Sequence, residues 1–136
     1  MHKNEQLLRD FVEAMESKDP ARVAACFQPD VVWRWLGTDF ITDIKPGTYE
    51  GLQTVAAALG GVDSAITEYK IEEIKALTAN DEIGTFWNHC SYKDEDGVHQ
   101  DMEENWVFLF KDGLIAEVWD YNRIMFLEKR RNGEVG

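Results

Sequence analysis

Glu104-Asn105-Trp106-Val107-Phe108-Leu109-Phe110-Lys111-Asp112-Gly113-Leu114-Ile115-Ala116-Glu117-Val118-Trp119-Asp120-Tyr121-Asn122 reads as two long strands around a Lys-Asp-Gly turn. A three-residue hairpin loop with Gly in the left-handed position is a common solution for such a turn. It would pair Phe110 with Leu114, Trp106 with Val118 and Glu104 with Asp120. Paired residues face the same side of a sheet. Two carboxylates are therefore expected side by side, next to a Trp, at an otherwise apolar and aromatic end.

Working upstream, the hydrophobic period stays at two back to Ala65. Four long strands are expected: Ala65 to Leu77, Glu82 to Lys93, Val98 to Lys111 and Leu114 to Arg123. Their turns, Ala79-Asn80-Asp81, Asp94-Glu95-Asp96-Gly97 and Lys111-Asp112-Gly113, carry the Asp, Asn and Gly that tight hairpins require. Before Ala65 the pattern is helical. Leu7, Leu8, Phe11, Val12 and Met15 make one apolar face of a helix over Asn4 to Lys18. Asp19 then suits an N-cap and Pro20 the first position of a short second helix carrying Val23 and Phe27. Val31 to Leu36 reads as a strand and Gly37 to Thr48 as a polar loop. Glu50 to Leu59 reads as a third helix, ended by Gly60-Gly61.

Helices followed by an antiparallel meander make an α+β protein. The strand ending at Lys111 is apolar on both faces, with Trp106, Phe108 and Phe110 on one and Val107 and Leu109 on the other. Helices can cover one face. A homodimer through the outer sheet face, over Val107, Leu109, Ile115 and Trp119, is the simplest cover for the second.

The chain has 136 residues and a formal net charge of −12. One domain over 1–136 is expected, with a tail from about residue 124 that turns basic and poorly structured from Lys129. The acidic surface argues against nucleic-acid and membrane partners. Met1 to Asp10 is too polar for a signal peptide, and Cys26 and Cys90 lack metal or redox spacing, so a cytoplasmic location is expected.

Several stretches together resemble the nuclear transport factor 2-like superfamily, especially its SnoaL-like members. They are the Asp19-Pro20 helix start, Phe27-Gln28-Pro29-Asp30-Val31-Val32-Trp33, Tyr49-Glu50-Gly51 and Asp112 to Asp120. The resemblance implies a cone-shaped α+β barrel of cystatin-like topology: three N-terminal helices on a strongly curved, mainly antiparallel sheet around a deep apolar pocket. It also implies dimers through the outer sheet face. A ketosteroid isomerase would need a Tyr at Phe11, a base at Trp35 and a protonated Asp at Trp106, and none is present. Asp120-Tyr121 is similar to a pair on the last strand of limonene epoxide hydrolase-like enzymes. Their Arg-x-Asp on a middle strand is missing from Phe86-Trp87-Asn88-His89-Cys90. SnoaL-like cyclases use a late-strand Asp as acid/base, and Asp120 fits that place.

The candidate catalytic residues are Asp120, Glu104 and His89. A carboxyl in an apolar pocket has its pKa raised, which suits acid/base work, and a second carboxyl beside it would split the pair. The structural alternative is that both acids cap the sheet edge against Arg34, Arg123 or a tail Lys. His89 serves as base only if it faces inward; if Asn88 faces in, His89 faces the dimer side. Trp33, Trp35, Asn88, Trp106, Phe108 and Asn122 are the candidate substrate-binding residues, an aromatic wall with amide handles. No metal spacing, phosphate-cradling Gly motif or activated nucleophile is visible, so any catalysis is expected to use no cofactor. Two readings follow: an acid/base lyase, isomerase, cyclase or hydrolase acting on a small hydrophobic molecule, or a non-catalytic dimeric binding or assembly domain.

Overall fold

The computed structural model describes residues 1–125, so the expected basic end lies outside the described residues. Helix α1 spans Lys3–Glu16; of the expected apolar face Leu8, Phe11 and Val12 are buried, Leu7 and Met15 are half-buried, and Ala14 joins the buried stripe. The buried Asn4 fastens it to a hairpin turn, its amide donating to the carbonyl of Asn80 at 3.0 Å. Helix α2, Pro20–Ala25, starts at Asp19, whose carboxylate accepts from the Arg22 amide. It ends earlier than expected, because Phe27 already belongs to strand β1, Phe27–Trp35.

Strand β2, Gly47–Glu50, was not expected; it lies where the sequence reads as loop and helix start, and it pairs antiparallel with β1. Helix α3, Leu52–Ala65, runs through Gly60-Gly61 rather than stopping there. At Gly61 an added Cβ would stand 2.4 Å from Ile44 Cδ1, so this glycine lets the preceding loop lie directly on the helix. Its role is close approach, not termination.

Strands β3 (Thr67–Ala79), β4 (Ile83–Lys93), β5 (His99–Lys111) and β6 (Leu114–Ile124) form the expected meander. The six strands make one sheet in the order β2-β1-β6-β5-β4-β3. All pairings are antiparallel except that of β1 with β6. The sheet is curved and unclosed, with the helices on one side. Register breaks recur along β3, between Thr67 and Lys70, Ile71 and Glu73, and Ile74 and Ala76. Such bulges bend a strand and increase its twist.

The β5–β6 register corrects the three-residue-loop expectation. The loop has only two residues, Asp112 and Gly113, at φ 52° and 77°. Two successive positive φ values are the pattern of a type I′ hairpin turn. Lys111 therefore pairs with Leu114 and Phe110 with Ile115. A bulge then adds a further step, so that Trp106 pairs with Asp120 and Glu104 with Asn122. One such step alone would exchange the faces of β6, and two in succession restore them. Glu104 and Asp120 thus share a face as diagonal neighbours rather than direct partners. Ile115, expected in the outer patch, lies between the turn and the bulge, where the first step alone has exchanged faces, and it is fully buried in the core.

The core lies between the inner sheet face and the helices. Phe11 meets Phe27, Trp106 and Phe108 edge-on, with ring centroids 5.5–5.9 Å apart. On the outer face Val107, Leu109 and Trp119 are half-buried, while Ile74, Ile83, Trp87 and Tyr121 are exposed.

Candidate functional site

Alternation along β5 and β6 puts Met102, Glu104, Trp106, Asp120 and Asn122 on the inner face, all nine-tenths buried or more. From β1, parallel to β6, Trp33 stands beside Val118 and Trp35 beside Asp120. The chain leaving β1 continues along β6: the Leu36 amide donates to the Asp120 carbonyl at 2.8 Å and the Thr38 amide to the Asn122 carbonyl at 3.0 Å. Between them, an added Cβ at Gly37 would lie 1.6 Å from Asn122 Oδ1 and 2.5 Å from its backbone N and O. No side chain fits there, so a glycine backbone holds the Asp120–Asn122 segment in place.

These residues surround a cavity of about 90 Å³. Its lining includes Trp33, Trp35, Trp106, Glu104, Asp120 and Asn122, with Phe40 and Met102 among the apolar walls. A cavity of about 150 Å³ holds a benzene ring, so this one suits a group of roughly four heavy atoms.

The hydrogen bonds around the two acids are unequal. Glu104 accepts from the Trp106 indole at 3.1 Å, the Tyr69 hydroxyl at 3.3 Å and the Cys90 thiol at 3.4 Å. The Asn88 amide faces it across the ladder and favours its charge, but has no hydrogen bond of ordinary geometry. Asp120 accepts only from the Trp33 indole, at Oδ2 and 3.3 Å, and its buried Oδ1 has no partner among the described residues. Asn122 Oδ1 accepts from the Trp35 indole at 3.0 Å.

Burial dominates both titrations. It raises the Glu104 pKa, partly offset by Trp106, Cys90, Tyr69 and Asn88. It lifts Asp120 well above the usual carboxylate range, the Glu104 charge adds to the rise, and Trp33 opposes it. The Glu104 charge acts on Asp120, so the two acids titrate as a pair.

The structure does not bring every candidate to this cavity. His89 lies on the other face of β4, where its ring pairs with Asp101 at 3.0 Å. Asn88, fully buried, and Phe108, stacked between Trp106 and Phe110, belong to the core rather than the cavity wall. Tyr69 was missed by the sequence reading, although it lines the cavity and touches Glu104. Its strand is rich in charged residues. The signal available was Tyr69 alternating with Ile71, but the irregular start of β3 at Glu68, with φ 53°, obscures that parity.

Among the described residues there is no cluster of His, Cys, Asp and Glu able to hold a metal ion, and no helix long and apolar enough to cross a membrane. Both cysteines are free and buried.

Residues 8–118 match the family model of the SnoaL-like domain. No curated protein sequence matches the chain significantly. Among solved structures, a nuclear transport factor 2-like protein of unknown function from Burkholderia pseudomallei is 23% identical, with a TM-score of 0.76 over 88% of this chain and 90% of that one. A candidate polyketide cyclase from Xanthomonas campestris is 17% identical, with a TM-score of 0.75 over 98% and 97%. A limonene epoxide hydrolase-like enzyme from M. tuberculosis is 16% identical, with a TM-score of 0.70 over 89% and 83%. At these identities the likeness is one of fold.

Proposed function

We propose, from the premise that the chain belongs to the SnoaL-like domain family, that it is a cofactor-independent acid/base enzyme acting on a small hydrophobic molecule. The observation that carries this reading is Asp120: a buried carboxyl at an aromatic-walled cavity, with one oxygen unpartnered and a pKa raised by burial and by Glu104. Burial and the Glu104 charge favour the protonated form of this group, which can deliver its proton to a substrate oxygen as general acid. Glu104 is the ionised partner that keeps the proton on Asp120. Asn122, fixed by Trp35, orients the ligand, and Trp33, Trp35 and Trp106 form the wall. The reaction class is isomerisation, elimination, cyclisation or hydrolysis. A candidate cyclase and an epoxide hydrolase-like enzyme among the similar folds are in keeping with this range.

In this reading the whole chain is one domain, works in the cytoplasm and pairs as a homodimer through the outer sheet face. Exposed Ile83 and Trp87 support the last point. Sedimentation at micromolar concentration should give the dimer mass, and a monomer would remove that part.

The test of the chemistry needs no known substrate. Acetone and other ketones of about this cavity's size are incubated with the protein in deuterium oxide, and loss of α-proton signals is followed by NMR. Exchange accelerated by the native protein and lost in Asp120→Asn supports the proposal. Equal exchange in both proteins rejects it. No acceleration for any ketone, together with saturable ligand shifts at the indole N–H signals, would favour a non-catalytic binding domain.

A further inference from the structure

We infer that Tyr69 is a positioning residue: its hydroxyl, seated on Glu104, decides which of the two inner carboxyls carries the shared proton. The inference rests on the acid/base reading above for its consequence, but its evidence is geometric.

Glu104 and Asp120 stand on adjacent strands of one face, and both are nearly excluded from water. Each would hold the proton if burial alone decided. Their hydrogen-bond partners break the tie. Glu104 receives three donors, two of them, Tyr69 and Cys90, on the same oxygen, Oε1. Asp120 receives one donor and leaves Oδ1 bare. Donors favour the ionised form of an acid, so the proton settles on the carboxyl with fewer of them. Trp106 and Cys90 sit on β5 and β4, next to Glu104 in the sheet. Tyr69 comes from β3 and is brought in by the irregular start of that strand, where Lys70 rather than Tyr69 pairs with Ser91. The hydroxyl is thus delivered by a local distortion and not by regular pairing.

Tyr69 is itself held protonated, which keeps it a donor. Burial pushes it well above the ordinary phenol range, and Glu104, Cys90 and Glu16 add to the rise. The other groups facing the pair include Trp33 from β1, Asn88 and the buried Tyr92 from β4 and, on the cavity wall, Asp63 from α3. Asp63 has its own pKa raised, chiefly by burial. Among the described residues lining the cavity there is no Lys, Arg or His, so no cation competes with Tyr69 for Glu104.

The step assigned to Tyr69 forms and breaks no covalent bond in the tyrosine. Its O–H remains with it and holds the negative charge on Glu104 while Asp120 gives up its proton. Without it, Glu104 loses one of its donors and the proton divides between the two acids. A hydrogen bond to a charged group is of the size that shifts such a division about tenfold.

The experiment is a carbon-13 NMR titration of the Asp120 and Glu104 carboxyl signals in native protein, Tyr69→Phe and Cys90→Ala. It requires no substrate. In native protein the Asp120 signal should titrate at higher pH than that of Glu104. In Tyr69→Phe the ratio of the two protonated forms should move about tenfold toward Glu104, and in Cys90→Ala by less in the same direction. The ratio is read directly, so a purely structural role for the ring, which Phe preserves, would not move it. Should Tyr69→Phe not fold, Cys90→Ala still reports the donor effect on the same oxygen. A proton on Glu104 in native protein, or an unchanged ratio in the variants, would overturn the inference. The acid/base reading fails separately, through deuterium exchange unaffected by Asp120→Asn.

Discussion

Glu103 and Glu104 are neighbours in the chain with opposite surroundings. Strand alternation sends Glu104 to the inner face and Glu103 to the outer one. Glu103 meets Arg123 at 2.9 Å, the Trp87 indole at 3.2 Å and Lys75 at 3.3 Å. Burial alone would raise its pKa, but the bonds from Trp87, Lys75 and Arg123 outweigh it and the value is lowered. Glu104 has only neutral donors, and burial wins. The same residue type is thus an ordinary ion-pair partner on one face and a buried acid held only by neutral donors on the other. Conserving stability would place cations near Glu104 and Asp120 as well. No Lys, Arg or His is among the described residues lining the cavity, so the inner acids lack the cations that hold Glu103.

The largest expected effect comes from removing an acid on each face. Asp120→Asn should lower the exchange rate by about 10²-fold or more, the scale of general acid–base catalysis. Its stability should be unchanged or raised, because a desolvated acid becomes a neutral amide. Glu103→Gln should leave exchange unchanged. The sign with pH follows from the raised pKa of Asp120. The folded form holds the proton more tightly than the unfolded one, so stability is full below the unfolded pKa and declines as pH rises toward the folded value. Thermal melts should therefore show Asp120→Asn gaining on the native protein as pH rises. A constant difference across pH would break the comparison.

The sequence made the two faces of β5 legible, because Trp106, Phe108 and Phe110 alternate with Val107 and Leu109. The expectation that Glu104 and Asp120 share a side held only because the shorter turn and the bulge each moved the register by one, and an even error keeps parity. The pairing itself was hidden. Asp112-Gly113 fits either a two- or a three-residue loop, and nothing in Ile115-Ala116-Glu117 announces a bulge. Strand β2 is only four residues long and borrows its identity from β1. Gly60-Gly61 looked like a stop because a glycine needed for close packing is spelled the same as one needed for a cap. Tyr69 depended on a strand irregularity, which is a tertiary fact.

A second prediction tests how the inner face is held. Gly37→Ala places a methyl against the backbone of Asn122, where the near atoms at 2.5 Å cannot swing away. Overpacking of this kind costs about 1–3 kcal/mol. The displacement also moves Asp120 and Asn122, so exchange should fall together with the melting temperature. By contrast, Gly60→Ala on α3 meets nothing within 4 Å and should stabilise the helix by about 0.5–1 kcal/mol. If Gly37→Ala melts like native protein, the segment beside β6 is not rigid and the site is not held as described.

A modest effect is expected for Glu103→Gln on stability. Its partners are long side chains near solvent, and exposed pairs of this kind contribute about 0.2–1 kcal/mol each, less at high salt. The lowered pKa of Glu103 sets the pH sign, opposite to that of Asp120. Its contribution is fully present above the unfolded Glu value and is lost as pH falls through the folded one. Chemical denaturation at neutral pH should show the variant less stable by about 1 kcal/mol, and the gap should close in acid. A gap that persists at low pH would mean that Glu103 acts by packing its stem against Trp87 rather than by charge. The outer face would then differ from the inner one in shape alone, and the contrast between two adjacent glutamates would lose its electrostatic meaning.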